Sequence, residues 1–195
     1  MNESTPVAKK TTLRNSLLLA GLFIVGIIFA GGFSLALDAT NTTEFCTSCH
    51  SMQTNLEELK EKSHWNNRTG VHAGCANCHV PKAFWPKMQA KIMAAKDVYH
   101  ELMGTINTPE KYEARRLQMA QAVWDKMKAS DSRVCKSCHS FQHMDFSQQD
   151  RFARKKHENA PDRGFTCIDC HKGIAHKKAK TAGDDDDDDK MSKKR

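Results

Sequence analysis

Eight cysteines fall into four Cys-x-x-Cys-His pentads, running from Cys46 to His50, Cys75 to His79, Cys135 to His139 and Cys167 to His171, and no cysteine lies outside them. Two thiols at this spacing can close thioether bonds to a porphyrin, and an imidazole directly after the second thiol is placed to reach the iron. A zinc site, a disulfide framework or a thioredoxin-like dithiol would use Cys-x-x-Cys without requiring that histidine. Four such histidines in four motifs favour haem over each of them. The residues therefore predict four c-type haems, held through Cys46, Cys49, Cys75, Cys78, Cys135, Cys138, Cys167 and Cys170.

Each iron has two axial positions. Ten histidines less the four in motifs leave His64, His72, His100, His143, His157 and His176 for the remaining positions. Bis-histidine ligation closes an iron to substrates and favours electron transfer. Met52, two residues after His50, is a second kind of ligand. A thioether raises the potential relative to imidazole, which suits a haem that receives electrons from a quinol.

The elements that must position these groups are mostly helical. Residues 1–14 are polar and basic, and residues 16–37 form an uncharged, mostly apolar run. At 1.5 Å per residue that run spans about 33 Å, enough to cross a hydrocarbon core of about 30 Å. A cleaved signal peptide with a cut near Ala36 is the competing expectation, but its apolar region would be about 7 to 15 residues. The longer run points to an uncleaved anchor over residues 15–37, with residues 1–14 cytoplasmic by the positive-inside rule and everything after Asp38 outside the bacterial inner membrane.

Residues 38–178 form the haem-bearing domain. A short charged helix is expected over residues 54–62, a longer one over residues 84–103 that stops near Gly104, and another that opens with Thr108 as N-cap, Pro109 and Glu110 and runs to about Lys128. On the last of these Tyr112, Arg116, Met119, Val123 and Met127 recur at helical spacing and read as core packing against haem. The motifs are 29 residues apart within the first pair and 32 within the second, which suggests two duplicated dihaem units. The expected fold is mainly α with extensive irregular loops: one N-terminal transmembrane helix plus a multihaem cytochrome c domain. A charged tail over residues 179–195 carries six consecutive aspartates at residues 184–189 and is expected to be disordered, and whether that acidic stretch is native or a protease-site tag stays open. The net charge of +7 fits haem propionates and anionic lipid; without any nucleic-acid motif it does not point to nucleic acid.

Several strings carry a family resemblance. Glu44-Phe45-Cys46-Thr47-Ser48-Cys49-His50-Ser51-Met52 after the anchor, Lys96-Asp97-Val98-Tyr99 with Gly104, Asn107-Thr108-Pro109-Glu110-Lys111-Tyr112 and the stretch from Cys167 through Lys172-Gly173-Ile174-Ala175-His176 resemble the NapC/NirT/NrfH family of membrane-anchored tetrahaem quinol dehydrogenases, nearest the NapC branch. The resemblance implies Met52 as ligand of the first haem, with His50 as the alternative. It pairs His79 with His176, His139 with His64, and His171 with His157. It also implies a quinol site with a lysine and an aspartate matching Lys91 and Asp97, Lys87 and Lys96 being close alternatives to Lys91. The implied function is oxidation of menaquinol or ubiquinol and delivery of electrons to a periplasmic reductase, nitrate reductase foremost. A different periplasmic acceptor such as nitrite reductase, a soluble carrier if the N-terminus is cleaved, and a homodimer through the anchor remain as alternatives.

Overall fold

The computed structural model of the chain describes residues 7–181. Residues 1–6 and the end of the chain from residue 182, with its aspartate run, lie outside the described residues. Among those described there is no strand. Two units are distinct, one reaching to Asn41 and the other beginning at Thr42.

The first unit is a single helix, α1 (Val7–Ala39). Its stretch Thr12–Ala39 is long and apolar enough to cross a membrane, and none of it is buried by protein. The helix extends past the apolar run at both ends because intrahelical bonding does not stop where polar residues begin, and in hydrocarbon every backbone group must be satisfied internally. Its end is tied down by the Thr40 hydroxyl, which donates to the Ala36 carbonyl at 2.7 Å.

The second unit sets short helices before and after two consecutive long ones: α2 (Thr43–Cys46), α3 (His50–Lys60), α4 (Cys75–His79), α5 (Phe84–Leu102), α6 (Pro109–Ala129), α7 (Arg133–Lys136), α8 (Arg151–Asn159) and α9 (Cys167–Cys170). The expected boundaries of α5 and α6 hold to within a residue or two. Gly104, at a φ of 67°, takes the left-handed conformation that ends α5. The Thr108 side chain accepts the Lys111 N–H and Pro109 opens α6, as the residues predict. Helix α3 differs: it begins at His50, not near Thr54. The turn made by the first haem motif nucleates it, with the Met52 N–H on the Cys49 carbonyl at 3.2 Å, so the helix is already under way at Thr54. Met52 therefore sits in the first turn of a helix, not in a loop.

The protein core is small. Among the described residues seven hydrophobic side chains are buried, and one buried cluster forms, Trp124, Ile168 and Ala179, with Ala120 and Met127 packed on it. Tyr112 and Arg116 of the expected stripe are buried, Met119, Val123 and Met127 half-buried, and Trp124 occupies the centre that the stripe omitted. Ala179, at 2% exposure, packs here although its neighbours are lysines, so the folded domain runs past residue 178. Seven residues are too few for a domain of this length. The remaining apolar surface, including Phe45, Phe165 and Ile174, fits a domain whose interior is completed by large apolar groups.

Candidate haem centre

The four motifs adopt two local forms that alternate. In the first and third, a four-residue helix contains the first cysteine and ends before the second: α2 closes on Cys46 and α7 contains Cys135. In the second and fourth, the helix starts at the first cysteine. There the residue before the second cysteine accepts the backbone N–H that precedes the helix, Asn77 from Gly74 at 2.9 Å and Asp169 from Thr166 at 2.8 Å. The residue types explain the alternation. Motifs one and three carry serine at that position, Ser48 and Ser137, where the others carry Asn or Asp, whose side chains reach back to cap a helix start. This Ser/Asn/Ser/Asp order is a signal in the sequence for the dihaem repeat that spacing alone did not supply.

Successive motifs face one another. The Cys46 and Cys75 thiols are within hydrogen-bonding reach, as are those of Cys135 and Cys167, while Cys78 lies in the electrostatic field of Cys138 and Cys75. Desolvation, reinforced by these neighbours, raises the thiols of Cys46, Cys78 and Cys135 above the ordinary range. The third and fourth motifs are also tied through Ser132, fully buried at a φ of 48°, whose hydroxyl accepts the Ile168 N–H at 3.2 Å. Asp131 and Ser132 both adopt left-handed backbone, uncommon outside glycine, and Lys136 pairs with Asp131 at this bend.

Three pairs of histidines meet across the domain. Ring centroids are 6.3 Å apart for His79 and His176, 6.2 Å for His139 and His64, and 5.8 Å for His171 and His157. Two imidazoles bonded to one metal ion at about 2 Å each, with about 1 Å more from nitrogen to ring centre, have centroids about 6 Å apart. The spacing thus fits an iron between each pair. Protein surrounds His79 although its surface stays accessible, and desolvation with the adjacent His176 pushes it down to about 4. His171 is lowered by desolvation, and then by His157, His139 and His64. Neutral imidazole is the form that ligates metal. No hydrogen bond satisfies the buried Nδ1 of His176, although the Asn55 backbone lies beside the ring, so bonding capacity of this imidazole is left for another partner such as iron. Among the described residues no three His, Cys, Asp or Glu side chains converge to hold a bare metal ion.

Among the described residues no histidine faces His50 in this way. His50 is exposed, whereas Met52 is half-buried and its sulfur lies 3.6 Å from the Asn55 amide. Lys91 sits near Cys46, opposing the desolvation that raises that thiol. Asp97 lies six residues further along α5, about 120° around the helix, so the two do not project from one face. Asp97 is at the surface, but nearby protein desolvates its carboxyl and raises it above the ordinary range, against the lowering effect of Lys96, His100 and Lys126. One turn on, Glu101 accepts the Ser51 N–H at 3.4 Å.

Residues 8–181 match the NapC/NirT cytochrome c family, N-terminal region. The chain belongs to the NapC/NirT cytochrome c family. It is 57% identical over 170 residues to an Allochromatium vinosum protein named as a tetraheme cytochrome-c type, covering 87% of this chain and 92% of that one. It is 50% identical over 163 residues to the cytochrome c-type protein NapC of Escherichia coli K12, covering 83% and 81%. It is also 50% identical over 161 residues to the denitrification system component NirT of Stutzerimonas stutzeri, covering 82% and 80%. No solved structure matches.

As a NapC/NirT-type tetrahaem cytochrome the protein carries four c-type haems, and several side chains hold the paired histidines or their neighbours. Gln149 bonds His157 Nδ1 through its side-chain oxygen at 2.7 Å, leaving Nε2 for metal, and Phe141 and Phe146 flank the same ring. Glu58 accepts the Lys177 N–H at 2.8 Å, pinning the residue after His176, and is itself gripped by Arg116 at 2.6 and 3.0 Å. These partners are 8, 119 and 58 positions apart, too far for any local pattern to announce them. The histidines left without a role have other contacts: His72 packs on Trp65 at 4.9 Å and His100 Nδ1 meets the Thr105 hydroxyl at 2.9 Å. His143 is exposed in a short 3-10 turn.

Proposed function

We propose that this protein is anchored in the bacterial inner membrane by α1, N-terminus in the cytoplasm, and oxidises membrane quinol to deliver electrons to a periplasmic reductase. The observation that carries the proposal is the contrast among the four sites. Three have facing imidazoles at about 6 Å, an arrangement that leaves no iron position for a substrate and suits electron transfer. The first differs, with a thioether beside its motif.

In this reading Met52 ligates the first haem, His50 being the alternative, and His79 with His176, His139 with His64 and His171 with His157 ligate the others. Bound haems supply one-electron redox centres. Oxidation of a quinol to the quinone releases two electrons and two protons, and the chain must manage the protons. A carboxyl raised by desolvation, as at Asp97, is suited to receive one, and an ammonium such as Lys91 can orient the quinol oxygen or offset developing negative charge. The acceptor that the NapC branch favours is a periplasmic nitrate reductase. The relative named as a denitrification component keeps other acceptors of that system as the comparison.

Stopped-flow reduction of the membrane-embedded protein by menaquinol and ubiquinol analogues tests the donor side. Asp97→Asn and Lys91→Gln should each slow reduction by about 10²-fold or more, and wild-type rates in both would remove these residues from the quinol site. Mixing the pre-reduced protein with purified periplasmic nitrate and nitrite reductases tests the acceptor side, the faster reoxidation naming the partner.

A further inference from the structure

The sulfur of Met52 belongs to a half-buried polar chain that ends on the buried Tyr112. The Asn55 side-chain nitrogen lies 3.6 Å from that sulfur, and the Tyr112 hydroxyl donates to the Asn55 side-chain oxygen at 2.6 Å. A thioether can only accept, so the amide must present its NH₂ to the sulfur and its oxygen to the phenol. Tyr112 is 6% exposed and lies beneath the Arg116 guanidinium, 5.1 Å from its ring centre. Arg116 is in turn clamped by Glu58 and Glu113. The direction of the Asn55 amide is thus set by two helices, α3 and α6, and an ion pair.

We propose that Asn55 and Tyr112 are positioning residues that tune the first haem, by hydrogen-bonding the Met52 sulfur and raising the potential at which that haem accepts an electron. The proposal rests on the reading of Met52 as an iron ligand. A ligating thioether gives one lone pair to the metal and keeps another. An N–H directed at the second draws electron density from the sulfur, weakens its donation and favours the reduced iron, since outer partners of a ligand set its basicity. The chain also restrains a side chain with three rotatable bonds that would otherwise sample many positions. Tyr112 reaches the sulfur through the Asn55 amide, so both substitutions are expected to act in the same direction.

The test uses the full chain, purified in detergent with its four haems, and the variants Tyr112→Phe and Asn55→Leu. Redox titration followed by electron paramagnetic resonance separates the four haems, and the near-infrared methionine-to-iron charge-transfer band reports thioether ligation. In both variants the reduced-to-oxidised ratio of the first haem at fixed poise should fall by about threefold, or about 28 mV at 59 mV per tenfold for one electron. The other three haems should not move. A structural effect alone would alter stability or all four haems together. A first-haem potential unchanged in both variants, with the band intact, overturns the tuning role while leaving Met52 as ligand. Absence of the band from the wild-type protein overturns the ligand reading and the proposal with it.

Discussion

Arg116→Ala is the substitution that the geometry predicts most sharply. Arg116 makes two charge-assisted bonds to Glu58, at 2.6 and 3.0 Å, and its side chain and that of Glu58 are 9% and 16% exposed. Truncation leaves the Glu58 carboxylate desolvated with only the Lys177 N–H as partner. Removing one member of a fully buried pair costs about 3 to 5 kcal/mol, and the residual exposure of Glu58 puts this case at the lower end, about 3 kcal/mol. Glu113, which pairs with the same guanidinium, has a side chain 48% exposed, so Glu113→Ala should cost less than about 1 kcal/mol. The loss has a second signature, because Glu58 holds the residue after His176. Loosening it should detach that imidazole in part of the population and convert the second haem to a high-spin form. Guanidinium unfolding of the detergent-solubilised holoprotein, followed by Soret absorbance, measures the first effect, and electron paramagnetic resonance the second. Arg116→Lys should not restore either, since an ammonium cannot make the bidentate contact. An Arg116→Ala protein within about 0.5 kcal/mol of wild type and fully low-spin would refute the reasoning.

Two further expectations concern the haem motifs. The Lys128 ammonium and the Thr166 N–H pull the Asp169 carboxyl from 3.8 down to about 2. A carboxyl lowered on folding stabilises the fold above its unfolded value and loses that contribution as pH falls. Asp169→Asn should therefore lower the unfolding midpoint at neutral pH, the deficit shrinking between about pH 4 and 2, and a deficit independent of pH would contradict the assignment. Gln149→Leu should free the His157 ring, weakening its hold on metal by about 10- to 100-fold. The fourth haem should then bind added cyanide or imidazole while the second does not, and equal reactivity of the two would exclude the role given to Gln149.

Features decided by local chemistry are legible in the amino-acid sequence. Thr108-Pro109-Glu110 predicts where α6 starts, because capping and a proline at the first helical position are settled within a few residues. Gly104 similarly marks the end of α5. The start of α3 escapes this logic because a turn already formed by the haem motif begins the helix at His50, four residues before the expected start. The buried role of Ala179 is hidden among lysines, since burial depends on Trp124 and Ile168 reaching it from elsewhere in the chain. The histidines illustrate the same limit. Counting them leaves six candidates, and only the family resemblance points to His64, His157 and His176, which the fold brings within about 6 Å of His139, His171 and His79. Nothing in local spacing encodes a contact such as Tyr112 with Asn55, 57 positions apart.

The small core bears on how long a molecule of this protein lasts in the cell. With one cluster of three buried apolar side chains, the polypeptide alone has little to oppose the conformational entropy of its ordered residues. Proteolysis tracks the population of open chains. A copy that has missed one or more haem attachments is therefore held open for longer and cleared sooner, whereas a complete copy is closed by its own cofactors. The expectation is that a chain short of its haems is cut faster by added protease than the complete protein.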